Sequence, residues 1–127
     1  MDPYHLQRFI PAQEQYYSQA LQEIRAGRKQ SHWIWFIFPQ LAGLGHSEKS
    51  KFYGIQGRGE AQAYLDHPVL GPRLIEITSA LQQHPDKPIK SILGSVDAIK
   101  CQSCMELFSS LPGADPVFKK VLKSFYY

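Results

Sequence analysis

Seven residues of this chain have side chains and neighbours suited to holding a small polar ligand: His32, Trp35, Gln40, Ser47, Arg73, Lys100 and Ser103. His32 opens the run Trp33, Ile34, Trp35, Phe36, Ile37, Phe38. A histidine beside indole rings can titrate near neutral pH and move a proton, and an indole face can stack on a base or a nicotinamide-like ring. In the ordinary reading of the same residues, the tryptophans fill the core and His32 caps the segment. Gln40, Gly43-Leu44-Gly45 and Ser47 form a glycine-rich loop before a serine-capped helix. Such a loop can turn backbone N–H groups toward a phosphate or carboxylate. It lacks the preceding strand and the further glycines of a dinucleotide or P-loop fingerprint, and a turn with an N-cap also accounts for it.

Arg73 lies among apolar residues at helical spacing. Lys100 lies between Ile99 and Cys101, with Ser103 on the same helix side. Basic residues bury only with a partner. These two converge on an anionic ligand, with Arg73 offering a planar fork, or they pair with Glu60, Asp66, Glu76 or Asp97, or they point to solvent. Cys101-Gln102-Ser103-Cys104 is a lone C-x-x-C. A zinc site needs four ligands, and a thioredoxin-type site needs a strand–helix context that is absent here. Two small helix residues is the plain reading. No metal site and no cofactor is expected.

The elements that must position these residues are helices. Asp2-Pro3 has the form of an N-cap and first helical residue, and a short helix carries Leu6, Phe9 and Ile10 before Pro11 restarts the chain. Tyr17, Leu21 and Ile24 mark a long helix ending near Gly27. The aromatic run suits a strand by propensity, but no second strand is present to pair with it. The expectation is a short buried helix capped by Ser31 and ended before Pro39. A short basic segment from Ser47 to Gln56 buries Phe52, Tyr53 and Ile55. A helix with Ala61, Tyr64 and Leu65 on one face ends at His67-Pro68. Leu70, Leu74, Ile77 and Leu81 predict the next, with Pro72 in its first turn. Ile89–Leu93 is a short apolar segment. Ser95 caps a helix over Val96–Leu111 with Ile99, Met105 and Phe108 inside. Asp115-Pro116 opens a last helix with Phe118, Val121, Leu122 and Phe125 facing in. It meets no C-cap signal at Tyr126-Tyr127 and reads as unfinished. Together these predict an all-α single domain over 1–127, six to eight short-to-medium helices around a buried aromatic segment.

A chain of 127 residues can bury one sizeable core without disulfides. With 43% hydrophobic and 20% charged residues it is globular in composition. A formal charge of +3 admits anionic ligands, but the basic residues are spread along the chain, so nucleic acid is not the expected partner. No apolar run approaches the roughly 20 residues of a membrane span. The start MDPYHLQRF lacks the pattern of a secretory signal. Two cysteines three apart on one helix face suit a reduced, cytoplasmic setting.

HWIWFIFPQ at 32–40, GLG at 43–45 with Ser47, Tyr53, EAQAYL at 60–65, HPVLGPRL at 67–74 and VDAIKCQSCMELF at 96–108 together resemble the domain-of-unknown-function 1810 family. The resemblance covers nearly the whole chain. It implies a mainly helical, cytoplasmic protein of a bacterial and fungal family without a settled activity. It also implies a C-terminus shortened relative to the family.

Two functions follow as expectations. In one, a small anionic, nucleotide-like ligand is bound or processed in a pocket beside residues 32–47. In the other, the chain is a non-catalytic protein- or RNA-interaction module. Burial of the tryptophans separates them: an exposed pair favours the module, and a pair set around a concave polar pocket favours the ligand.

Overall fold

The computed structural model of the chain describes residues 2–127, and Met1 lies outside them. Among the described residues there are eight α-helices and one 3-10 turn: α1 Phe9–Arg25, α2 Ile34–Ile37, α3 Glu48–Tyr53, α4 Arg58–Asp66, α5 Leu70–Gln82, α6 Ile89–Leu93, α7 Ser95–Ser109 and α8 Val117–Phe125, with the turn at Leu6–Arg8. The single β-bridge, Leu41 with Ile55, belongs to no strand. The fold is all-α.

Pro11 does not restart the chain. It lies in the first turn of α1, where its missing N–H breaks no helical bond. The Asp2 carboxylate accepts from Leu6 N and Gln7 N, both at 2.8 Å, and so caps the preceding turn. At the other end, Gly27 adopts φ +81°, and the last carbonyls of α1 receive donors from the loop after α5. His84 Nε2 lies 2.9 Å from Ile24 O, and Lys87 Nζ donates to Gly27 O at 2.8 Å. The α1 C-terminus is thereby bound to residues 60 positions away.

α5 packs against α1, α4 and α8, while α7 packs against α8, α6, α4 and α2. The Leu70, Leu74, Ile77, Leu81 stripe of α5 is buried as its spacing predicts. Aromatic rings connect the layers. Phe9 contacts Tyr53 at 5.5 Å and Tyr64 at 5.1 Å, Tyr64 contacts Phe108 at 5.5 Å, and Phe108 contacts Phe118 at 6.0 Å. Gln13 is buried in this layer. Its amide donates to Phe36 O and Tyr64 Oη and accepts from Arg73, so its polar atoms are satisfied.

A buried ion pair ties the N-terminal turn to α4. Arg8 Nη2 lies 2.6 Å from Glu60 Oε2. Its other donors reach Phe52 O, Tyr4 O, His5 O and Gly54 O, and Glu60 also accepts from Gln56 N. A desolvated pair persists where its remaining hydrogen-bonding capacity is filled in this way.

Three expectations about local packing are corrected. Phe52 is exposed, because α3 is a surface helix that turns only Tyr53 inward. Ile99 is also exposed, because Met105 and Phe108 lie on the opposite, buried side of α7. Ser95 begins α7, with Gly94 at the cap position in a φ +85° conformation. The chain end is held: Tyr126 N and Tyr127 N both donate to Leu122 O, and Tyr126 Oη donates to Ala98 O at 2.6 Å. No helix of the described residues is long and apolar enough to cross a membrane.

Candidate functional site

The aromatic run forms a single helical turn, α2, which ends at Phe38 before Pro39. Ser31 is not its cap. The Glu23 carboxylate, on α1, accepts from Gln30 N at 2.7 Å, Ser31 N at 3.0 Å, Ser31 Oγ at 2.7 Å and Trp33 Nε1 at 3.0 Å. One carboxylate therefore holds the loop that delivers both tryptophans. Desolvation raises the Glu23 pKa, but hydrogen bonds from Gln30, Ser31, Trp33 and Gln19 outweigh it and bring the value down from 4.5 to about 2.

This anchoring sends the two indoles to different places. Trp33 is fully buried in the core. Trp35 is half-buried and lines a cleft between α2, α3 and α7, together with Ile34, Phe38, Gln40, Ser50, Tyr53, Gly54 and Lys100. The cleft measures about 230 Å³ including its open mouth, but the space open to water-sized bodies is only about 10 Å³, the room of about one water. Lys49 Nζ lies 4.8 Å and Lys100 Nζ 5.3 Å from the Trp35 ring centroid, both within cation–π range. Among the described residues the ion pairs are Arg8–Glu60, Lys29–Asp97 and Arg73–Glu14. Neither Lys49 nor Lys100 has a carboxylate within pairing distance. Trp35 Nε1 is buried without a hydrogen-bond partner, an uncommon state for a native donor.

Close backbone approach shapes the walls. Ile55 N donates to Gln40 O at 2.9 Å, and Ala42 N donates to Ile55 O at 2.8 Å. A side chain at Gly54 would meet Ala42 Cα at 2.7 Å. A Cβ at Gly45 would collide with Ser50 and come within 3.7 Å of Gln40 Nε2. The glycine loop thus lies against Ser50, which lines the cleft. Burial pushes the Tyr53 hydroxyl pKa up despite the opposing Arg8 charge.

Of the seven sequence candidates, Trp35, Gln40 and Lys100 meet at this cleft. The other four do not line it. His32 is exposed on the loop before α2. Ser47 caps α3, its Oγ accepting from Ser50 N at 3.1 Å. Ser103 Oγ donates to Ile99 O, one turn back along its own helix. Arg73 belongs to the α1–α5 seam, where its guanidinium donates to Gln13 and to Glu14 at 3.1 Å and lies 5.3 Å from the Tyr17 ring centroid. Its expected carboxylate partners are engaged elsewhere: Glu60 by Arg8, Asp97 by Lys29 and Glu76 by Tyr17. Lys49 and Ser50 were not singled out from the sequence. Their only signal is the Ser47–Ser50 spacing of an N-cap and its third helical residue.

Cys101 and Cys104 are free and buried. Burial pushes the Cys101 thiol up to about 12 and the Cys104 thiol well above its usual value, which leaves both as unreactive thiols. Among the described residues no group of three His, Cys, Asp or Glu side chains is placed to hold a metal ion.

Fold and cleft together define an all-helical domain with a lysine-flanked tryptophan at its surface. The chain belongs to the family described as protein of unknown function DUF1810, whose model matches residues 3–127. A solved structure, that of the conserved hypothetical protein Rv1873 from Mycobacterium tuberculosis, is similar to it at 46% sequence identity with a TM-score of 0.96. The match covers 98% of this chain and 89% of the other. No similar protein is found among curated proteins.

Proposed function

We propose that this protein binds a small anion, a phosphate or carboxylate group, across the mouth of the Trp35 cleft. The observation that carries the reading is the pair of lysines on one indole, neither of them neutralised by a carboxylate. Among the described residues each ammonium group lacks an internal counter-charge, and an anion at the cleft mouth supplies one. Near a protein surface each contact at about 4 Å is worth about 4 kcal/mol before desolvation. Gln40 and Ser50 add neutral hydrogen-bonding groups on the α3 side. With room for about one water, the cleft keeps the anion at its mouth. A nucleotide-like ligand would keep its base outside. No histidine, carboxylate or thiol lines the cleft, so binding is assigned and no reaction is.

A thermal-shift panel of inorganic phosphate, AMP, an NAD fragment and glutarate tests this, with the Lys49→Ala/Lys100→Ala double variant beside the wild type. A ligand at 100 times its Kd adds about 2.7 kcal/mol, a shift of several degrees for a domain of this size. The expected result is stabilisation of the wild type by at least one anion, lost in the double variant. No stabilisation at millimolar anion, or equal stabilisation of both proteins, overturns the reading.

A further inference from the structure

The helix that brings Lys100 to the cleft carries exposed apolar residues that the core does not use. On α7, Val96 is 65% and Ile99 66% exposed. Val96 precedes Lys100 by four residues and shares its helix face. Helical side chains lean toward the N-terminus, so the Lys100 stem lies over the turn that Val96 occupies. Ile99 adjoins both. Leu44 is 56% exposed in the glycine loop, where a Cβ added at Gly45 would collide with Ser50. Exposed apolar side chains thus adjoin Lys100, which lines the cleft.

We infer that the ligand of this cleft is an amphiphilic anion, a phosphate or carboxylate head group bearing a short alkyl or acyl chain. The inference rests on the anion-binding reading above and adds the tail. Charge selects the head: Lys100 lines the cleft, Lys49 lies over the same indole, and neither has an acidic partner among the described residues. The cleft, with room for about one water, cannot take the tail, which therefore runs along the surface. From Lys100 back to Val96 is four residues, about 6 Å of helix rise, so the strip covers only a few methylenes. Its exposure leaves it free to receive them.

A homologous series tests the inference: acetate, butanoate, hexanoate and octanoate, and ethyl, butyl and hexyl phosphate, all as monomers, with Kd followed by Trp35 fluorescence in a Trp33→Phe background. A fully buried methylene is worth about four-fold in affinity, and one covered on a single side about half that factor. The expected result is about a two-fold gain per methylene, levelling off once the chain passes Val96. Ile99→Ser removes exposed apolar surface without adding charge beside Lys100, and should flatten the series while leaving acetate and ethyl phosphate unchanged. A flat series in the wild type overturns the inference and leaves anion binding standing. Binding of the long members that is insensitive to Lys49→Ala/Lys100→Ala overturns the anion reading as well. Binding to phosphatidylserine vesicles without binding to the monomeric anions also overturns the inference, because it would place the apolar rim at a bilayer.

Discussion

Replacing Glu23 with alanine should cost more stability than any other single change at a part-exposed carboxylate in this chain. The carboxylate receives Gln30 N, Ser31 N, Ser31 Oγ and Trp33 Nε1, and Trp33 is fully buried. Its truncation leaves the indole N–H buried without a partner, a penalty of about 1–3 kcal/mol, and removes charge-assisted bonds worth about 1.5–3 kcal/mol each when counted singly. Non-additivity and solvent replacement at the exposed edge reduce the sum to about 3 kcal/mol. The pH dependence follows from the pKa. The folded value of about 2 lies below the ordinary 4.5, so the stabilisation is present above about 4.5 and fades as pH falls toward 2. Urea unfolding of wild type and Glu23→Ala at pH 7 and at pH 2.5 reads both effects. The gap between the proteins should be about 3 kcal/mol at pH 7 and clearly smaller at pH 2.5. A gap under 0.5 kcal/mol at pH 7, or one that does not narrow in acid, refutes the role given to this carboxylate.

Three further outcomes are expected. Arg8→Met should destabilise by about 3–5 kcal/mol, because Glu60 becomes a buried unpaired charge; adding Glu60→Gln should recover part of the loss in urea unfolding. Gly71→Ala should cost about 1–3 kcal/mol, because its Cβ would collide with the Leu65 carbonyl where α4 meets α5; thermal denaturation measures this. Cys101 and Cys104 should resist iodoacetamide at pH 8 in the folded protein and react in urea, since both are fully buried and their thiols are pushed up; mass spectrometry counts the adducts.

What was legible in the sequence followed local rules. The stripe of α5 and the stop at Pro39 depend on spacing and on proline sterics, which act within a few residues. Errors arose where a distant partner won. Ser31 has the side chain of an N-cap, but Glu23, eight residues earlier and on another helix, takes its hydroxyl. Arg73 looked like a ligand cation because its neighbours are apolar; α1 supplies Gln13 and Glu14 from 60 and 59 residues away. The site divided in the same way. Trp35, Gln40 and Lys100 stood out because each is polar or amphipathic within an apolar stretch. Lys49 and Ser50 did not, because only the packing of α3 on α2 brings them to the indole, and no periodicity encodes that contact. Ile99 reads as core by its hydrophobicity alone, yet it is exposed beside Lys100, which lines the cleft.

The most direct test of the cleft is an NMR titration of the indole N–H signals with phosphate and with butanoate. The chain has two tryptophans, so each signal can be assigned with one Trp→Phe variant. Anion binding at Lys49 and Lys100 should move the Trp35 signal in a saturable way, leave the Glu23-bound Trp33 signal in place, and disappear in Lys49→Ala/Lys100→Ala. A Trp35 signal that stays still through millimolar anion, or that moves equally in the double variant, would contradict an anion site at this indole.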